Sequence, residues 1–218
     1  MDDMQIKEAR IYSAVSKITK PIADATHDIS KFYLRRENAM IIDNVYIYTP
    51  DKKFVKGGII LKGEQIQAVY EAKDTPKFEE EVFDGNGAYA IPGLIDLHFH
   101  GCKGDDFCDG TKEAIGRIAE YEASIGVTAI APATMTLPVE ELEHILEVAA
   151  EYKKENTDKR RADLLGINME GPFIAPEKKG AQNGAYIQAP SAETFRACQQ
   201  ASGGLIKLVT LAPEMEGS

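Results

Sequence analysis

"GLIDLHFHG", residues 93 to 101, closes an apolar run with two histidines one residue apart. Along a strand successive side chains point to opposite faces, so His98 and His100 are expected on one face and Phe99 on the other. An apolar strand has no packing reason to end in two polar rings unless something there satisfies them. Two imidazoles on one face suit a metal ion. The stretch also decides the fold, because it heads a series. "AIPGLIDLHFH" (90 to 100), "GVTAIAPATM" (126 to 135), "DLLGINMEGPF" (163 to 173) and "GLIKLVTLAPE" (204 to 214) read as strands buried on both faces.

Helical patterns separate these runs. Residues 112 to 125 space Ile115, Ile118, Ala119 and Ile125 as on one helix face, with Thr111 as N-cap and Gly126 as the stop. Residues 138 to 153 do the same with Leu142, Ile145, Leu146 and Ala149, opened by Pro138 at or near the first helical position. Ser191 caps a third, shorter helix through Phe195 to Ala201. Repeated strand, helix, strand with strands of this kind predicts parallel βα units. The fold class is therefore α/β, and the polar residues fall where a (β/α)8 barrel keeps its chemistry, at the C-terminal strand ends. His98 and His100 end the first run, Thr134 the second and Glu170 the third, and Glu214 follows the fourth. Only four units can be counted before Ser218, half of a barrel.

Upstream, residues 40 to 90 change character. "MIIDNVYIYTP", "GGIILKGEQIQAVYE" and "EEVFDGNGAYAIPG" are β-branched runs broken by "PDKK", "KGE" and "GNG", which predicts hairpins in a small antiparallel, β-sandwich-type subdomain. The expected domains are thus a β-rich 40–90 and a half-barrel 91–218. Residues 1–39 fit neither and read as an extension, in which "ITKPIADATHDIS" faintly resembles the opening strand region of mandelate-racemase-type enolase-superfamily proteins.

Composition narrows the function classes. A formal net charge of -10, from 25 Lys and Arg against 35 Asp and Glu, leaves no basic block to neutralise a nucleic-acid backbone. No apolar stretch approaches the roughly 20 residues that cross a bilayer, and no leader pattern opens the chain, so a soluble, cytoplasmic protein is expected. Three cysteines, Cys102, Cys108 and Cys198, argue against a disulfide framework. Cys102 and Cys108 are six residues apart, unlike the close pairs of structural zinc sites, and read as small buried or loop residues. Two imidazoles and the Glu170 carboxylate, by contrast, are suitable ligands for zinc, iron or manganese. Asp96 shares the face of His98 and is expected to orient the ligands or to satisfy backbone groups. His144, in a helix beside acids, and His27, in the extension, are not ligand candidates; Lys178 and Lys179 read as solvated charge.

Four motifs, "PGLIDLHFHG" (92 to 101), "NMEGPFI" (168 to 174), "KKGAQN" (178 to 183) and "TLAPE" (210 to 214), carry a resemblance. In this order and spacing, residues 40 to 218 resemble the N-terminal half of the N-acetylglucosamine-6-phosphate deacetylases of the amidohydrolase superfamily. The resemblance implies hydrolysis of the acetamide of N-acetylglucosamine 6-phosphate to glucosamine 6-phosphate and acetate, with one or two divalent ions as cofactor. It makes His98, His100 and Glu170 metal ligands and places Ala181 and Gln182 against the sugar phosphate. The family's acid/base aspartate belongs to the last barrel strand and is expected beyond Ser218, as are two further metal-binding histidines; no histidine follows Glu170 here. The chain is therefore expected to be a fragment, inactive alone and prone to aggregate through an open strand edge, with a homodimer implied for the full-length protein. Two other readings stand beside it: another amidohydrolase, dihydroorotase-like or deaminase-like, and a non-catalytic half-barrel that binds or assembles.

Overall fold

The computed structural model describes residues 39–78 and 82–218, so the reading of the extension falls almost wholly outside the described residues. The chain divides into two compact units between Gly93 and Leu94.

The first unit is a five-stranded sheet of β1 (Ala39–Tyr48), β2 (Phe54–Lys62), β3 (Gln65–Glu71), β4 (Val82–Asp84) and β5 (Tyr89–Ala90). The order is β3-β2-β1-β4, with β5 also on β1. β1, β2 and β3 pair antiparallel, as their alternating β-branched pattern predicts. The third run departs from expectation: β4 and β5 both pair parallel to β1, so among the described residues the subdomain is one mixed sheet and not a series of antiparallel hairpins. The reason lies in the "GNG" turn, which does not reverse the chain. Gly85 and Gly87 donate backbone hydrogen bonds to Asp43 and Asn44, along the irregular middle of β1 where Asn44 has φ 55°. Strand alternation then fills both faces. Ile42, Val45, Ile47, Ile59 and Leu61 form one buried cluster, and Ile41, Ile60, Ala68 and Tyr70 another.

The second unit begins with β6 (Leu94–Asp96), followed by a small hairpin of β7 (Gly101–Cys102) and β8 (Asp105–Asp106). Then come α1 (Lys112–Ser124), β9 (Val127–Ile130), α2 (Val139–Glu155), β10 (Asp163–Leu164), β11 (Ile167–Glu170), α3 (Ala192–Ala201) and β12 (Ile206–Thr210). The pairs β6/β9, β9/β10 and β11/β12 are all parallel, and a parallel bridge from Ala133 to Asn168 carries the β9 line on to β11. The helices start where the caps predict: Thr111 accepts from the Ala114 amide at 3.2 Å and Ser191 from the Thr194 amide at 3.2 Å. Ile115, Ile118 and Ala119 of α1, Ile145, Leu146 and Ala149 of α2, and Cys198 of α3 share one core with Val127, Ile130, Leu164, Ile167, Met169 and Ile206. Ile125 is the exception, exposed past the end of α1.

Two of the four apolar runs are not buried on both faces. Leu94 and Ile95 of β6 are 52% and 55% exposed, Leu97 is exposed too, and so are Val209 and Leu211 around β12. Each of these strands has a partner on one side only among the described residues, whereas β9 lies between β6 and β10 and is buried throughout. An apolar side chain on an edge strand lacks the second neighbour that would cover it.

Candidate metal centre

The chain leaves the β6 ladder at Asp96, so the histidine pair lies just past the strand end rather than within it. Backbone bonds nevertheless hold the extended course: Ala131 donates to Asp96 O at 2.8 Å and Ala133 to Phe99 O at 2.7 Å. Phe99 packs against the core and the two histidines turn to the other side, as the period of two requires. Asp96 serves the backbone: its Oδ1 accepts from the His98 amide at 3.0 Å.

The side chains of His98 and His100 converge on Glu170. His98 Nε2 lies 3.4 Å and His100 Nε2 3.2 Å from Glu170 Oε2, and one ligand atom from each of the three residues falls within 4.8 Å of the others. Yet Glu170 Oε2 is a buried oxygen with no hydrogen bond. A buried carboxylate oxygen without a hydrogen bond keeps its lone pairs for something else. Two imidazoles and a carboxylate are donors that a divalent transition metal accepts, and the arrangement fits one.

Hydrogen bonds behind the cluster fix each member. The Thr134 hydroxyl accepts from the Glu170 amide at 3.0 Å and donates to the Glu170 carbonyl at 3.3 Å, clamping the backbone of the carboxylate from the next strand line. His100 Nδ1 donates to Ala133 O at 3.2 Å. Asn168 Nδ2 meets His98 Nδ1 at 3.0 Å and donates to Leu97 O at 3.2 Å, while its Oδ1 accepts from Thr210 Oγ1 at 3.1 Å. Gly171, which follows Glu170, has φ 73°, and a Cβ there would meet Thr136 Oγ1 at 2.1 Å. Only glycine fits that corner.

The sequence singles out Thr134 for its place but not for its clamp, and it passes over Asn168 inside "NMEGPFI". A signal is available: Asn168 stands two residues before Glu170 on β11, hence on the same face. Of the other candidates, Glu214 is exposed and outside the cluster. Ala181 is exposed; Gln182 is buried, its Oε1 accepting from the Thr136 amide at 2.6 Å. No acid/base aspartate is assigned among the described residues. The cysteines also stay outside, and burial keeps them as thiols: Cys108 is pushed up to about 12 and Cys198 to about 11. Cys108 Sγ instead accepts from the Met135 amide at 3.2 Å.

Known proteins resemble this chain in sequence and in fold. The chain is 31% identical to the N-acetylglucosamine-6-phosphate deacetylase of Bacillus subtilis over 177 residues, 81% of this chain and 45% of that protein. It is 34% identical to that of Vibrio furnissii over 128 residues, 59% of this chain and 32% of that one. The crystal structure of the deacetylase from Pasteurella multocida superposes with a TM-score of 0.71 at 28% identity, covering 82% of this chain and 46% of that one. The deacetylase from Thermotoga maritima gives 0.67 at 29% identity, covering 82% and 44%. A structure from Mycobacterium smegmatis at 22% identity shares the fold, with a TM-score of 0.70 over 83% of this chain and 44% of that one; it is a complex with N-acetyl-D-glucosamine-6-phosphate. No family model matches the chain. The chain spans less than half the length of these relatives.

Proposed function

We propose, from the premise that this chain is related in sequence and fold to the N-acetylglucosamine-6-phosphate deacetylases over somewhat less than half their length, that it carries the metal-holding part of such an enzyme. The four parallel strand lines with their helices are then the first four βα units of an eight-unit barrel, and the mixed sheet of β1 to β5 is the subdomain that precedes it. The reaction served is hydrolysis of the acetamide of N-acetylglucosamine 6-phosphate to glucosamine 6-phosphate and acetate.

The observation that carries the reading is the buried, unbonded Glu170 Oε2 with two imidazole nitrogens at 3.2 and 3.4 Å. His98, His100 and Glu170 would hold zinc, iron or manganese, as one ion or as part of a pair. Such an ion supplies acidity to a bound water, lowering its pKa toward ~7, and polarises the carbonyl under attack. The protein's own residues provide placement. Thr134 fixes the backbone of Glu170, Ala133 O orients the His100 ring, and Asn168 holds the His98 ring. Ala181 and Gln182 are assigned to the sugar phosphate; with Gln182 Oε1 bound to the Thr136 amide, its Nε2 is the group left to donate. No proton-transfer residue is assigned within the 218 residues up to Ser218, and the chain by itself is expected to release no acetate from the substrate.

Elemental analysis of the purified chain, beside the His98→Ala and Glu170→Ala variants, tests the reading. Stoichiometric divalent metal in the parent, reduced in both variants, is expected. A parent free of metal after growth and dialysis in zinc, iron and manganese contradicts it.

A further inference from the structure

His98 and His100 point their Nε2 atoms at one carboxylate oxygen, but their second ring nitrogens face opposite chemistry. His100 Nδ1 lies 3.2 Å from Ala133 O. A carbonyl only accepts, so Nδ1 carries the proton and Nε2 keeps its lone pair toward Glu170. His98 Nδ1 lies 3.0 Å from Asn168 Nδ2. The orientation of that amide is set by its other neighbours: Nδ2 donates to Leu97 O at 3.2 Å and Oδ1 accepts from Thr210 Oγ1 at 3.1 Å. Turned over, Oδ1 would stand against the Leu97 carbonyl oxygen. An amide nitrogen only donates, so His98 Nδ1 accepts, and the neutral ring must carry its proton on Nε2. That is the atom 3.4 Å from Glu170 Oε2, and in this form it has no lone pair for an ion.

We infer that Asn168 is a positioning residue that makes the two histidines unequal, with His100 a preset ligand and His98 a ligand only when the Asn168 amide reverses. The inference rests on the metal reading above. Reversal presents Oδ1 to a His98 Nδ1–H and Nδ2 to Thr210 Oγ1, whose hydroxyl accepts as readily as it donates. The bond to Leu97 O is lost. The ring's proton count is unchanged: one proton leaves Nε2 to water and one arrives at Nδ1. Asn168 is buried and bonded on both sides, so this exchange is a discrete two-state event rather than a loose rotation.

Proton-coupled 15N spectra of the histidine rings in the metal-free full chain, near pH 8 and above the ordinary histidine range, read the two forms directly. Loss of signals in His98→Ala and His100→Ala assigns them. Nε2–H is expected for His98 and Nδ1–H for His100, with zinc converting His98 to Nδ1–H. Nδ1–H on His98 before metal is added would overturn the inference. Zinc titration is expected to lose about 100-fold in affinity on His100→Ala and about 10-fold on His98→Ala; equal losses would overturn it. Asn168→Asp offers only acceptors to His98, so Nδ1–H is expected without metal and zinc affinity should rise about tenfold. An unchanged His98 tautomer in that variant counts against the assignment. Failure of the metal reading looks different: a parent that shows both expected tautomers and takes up no zinc, which overturns His98 as a ligand of any kind.

Discussion

Strands β9 and β6 lie side by side, read alike in sequence and end in different surroundings. Ile130 of β9 is fully buried under the helices, while Ile95 of β6, one register position away on its partner, is more than half exposed. Ile130 has strands on both sides and helices above, and among the described residues Ile95 has a neighbouring strand on one side only. Apolar runs therefore announce strands without announcing how many neighbours each will find. The site's histidines hang just past the end of β6, and its carboxylate from the end of β11, where Thr134 and the core hold it still.

Truncating the covered strand should have the largest effect. Ile130→Ala is expected to cost about 2–5 kcal/mol in denaturant unfolding, and Ile95→Ala about 0.5 kcal/mol or less. Equal losses would break the contrast between covered and open strands. Next comes the corner after the carboxylate: Gly171→Ala, at φ 73° and with Thr136 Oγ1 in the way, should cost about 2–3 kcal/mol in the same assay. Thr134→Val keeps the shape and removes the hydroxyl that clamps Glu170, and a loss of about 1–3 kcal/mol is expected, with Thr134→Ser near the parent. The last effect is a slope against pH, confined to the alkaline range. Burial raises the Cys108 thiol to about 12 from an ordinary 9. As pH rises past about 9 the unfolded chain releases this proton first, so stability present below that point declines progressively toward pH 12. Cys108→Ala should flatten that alkaline decline in urea midpoints, and an unaltered slope would show that the thiol takes no part.

Much of this is legible in the sequence, and what escapes it shares a physical cause. Caps are local, and Thr111 and Ser191 can be read from a few residues each. The period of two places His98 and His100 together, and the motifs around Glu170 point to the deacetylases that the chain is similar to. The turn at "GNG" misleads because its direction depends on backbone partners more than 40 residues away, at Asp43 and Asn44. Exposure of Leu94 and Ile95 depends on which strands lie beside β6 among the described residues, which no run of residue types encodes. Asn168 escapes for a related reason: an asparagine between apolar residues looks like a lapse in a strand until Leu97, His98 and Thr210 are brought around it.

If His98, His100 and Glu170 together hold one divalent ion, anomalous diffraction at the zinc edge from crystals of the chain grown with zinc will locate it. A peak is expected about 2.0–2.2 Å from His100 Nε2 and from a Glu170 carboxylate oxygen, with the His98 ring completing the group. A map with zinc bound elsewhere and this cluster empty would contradict it.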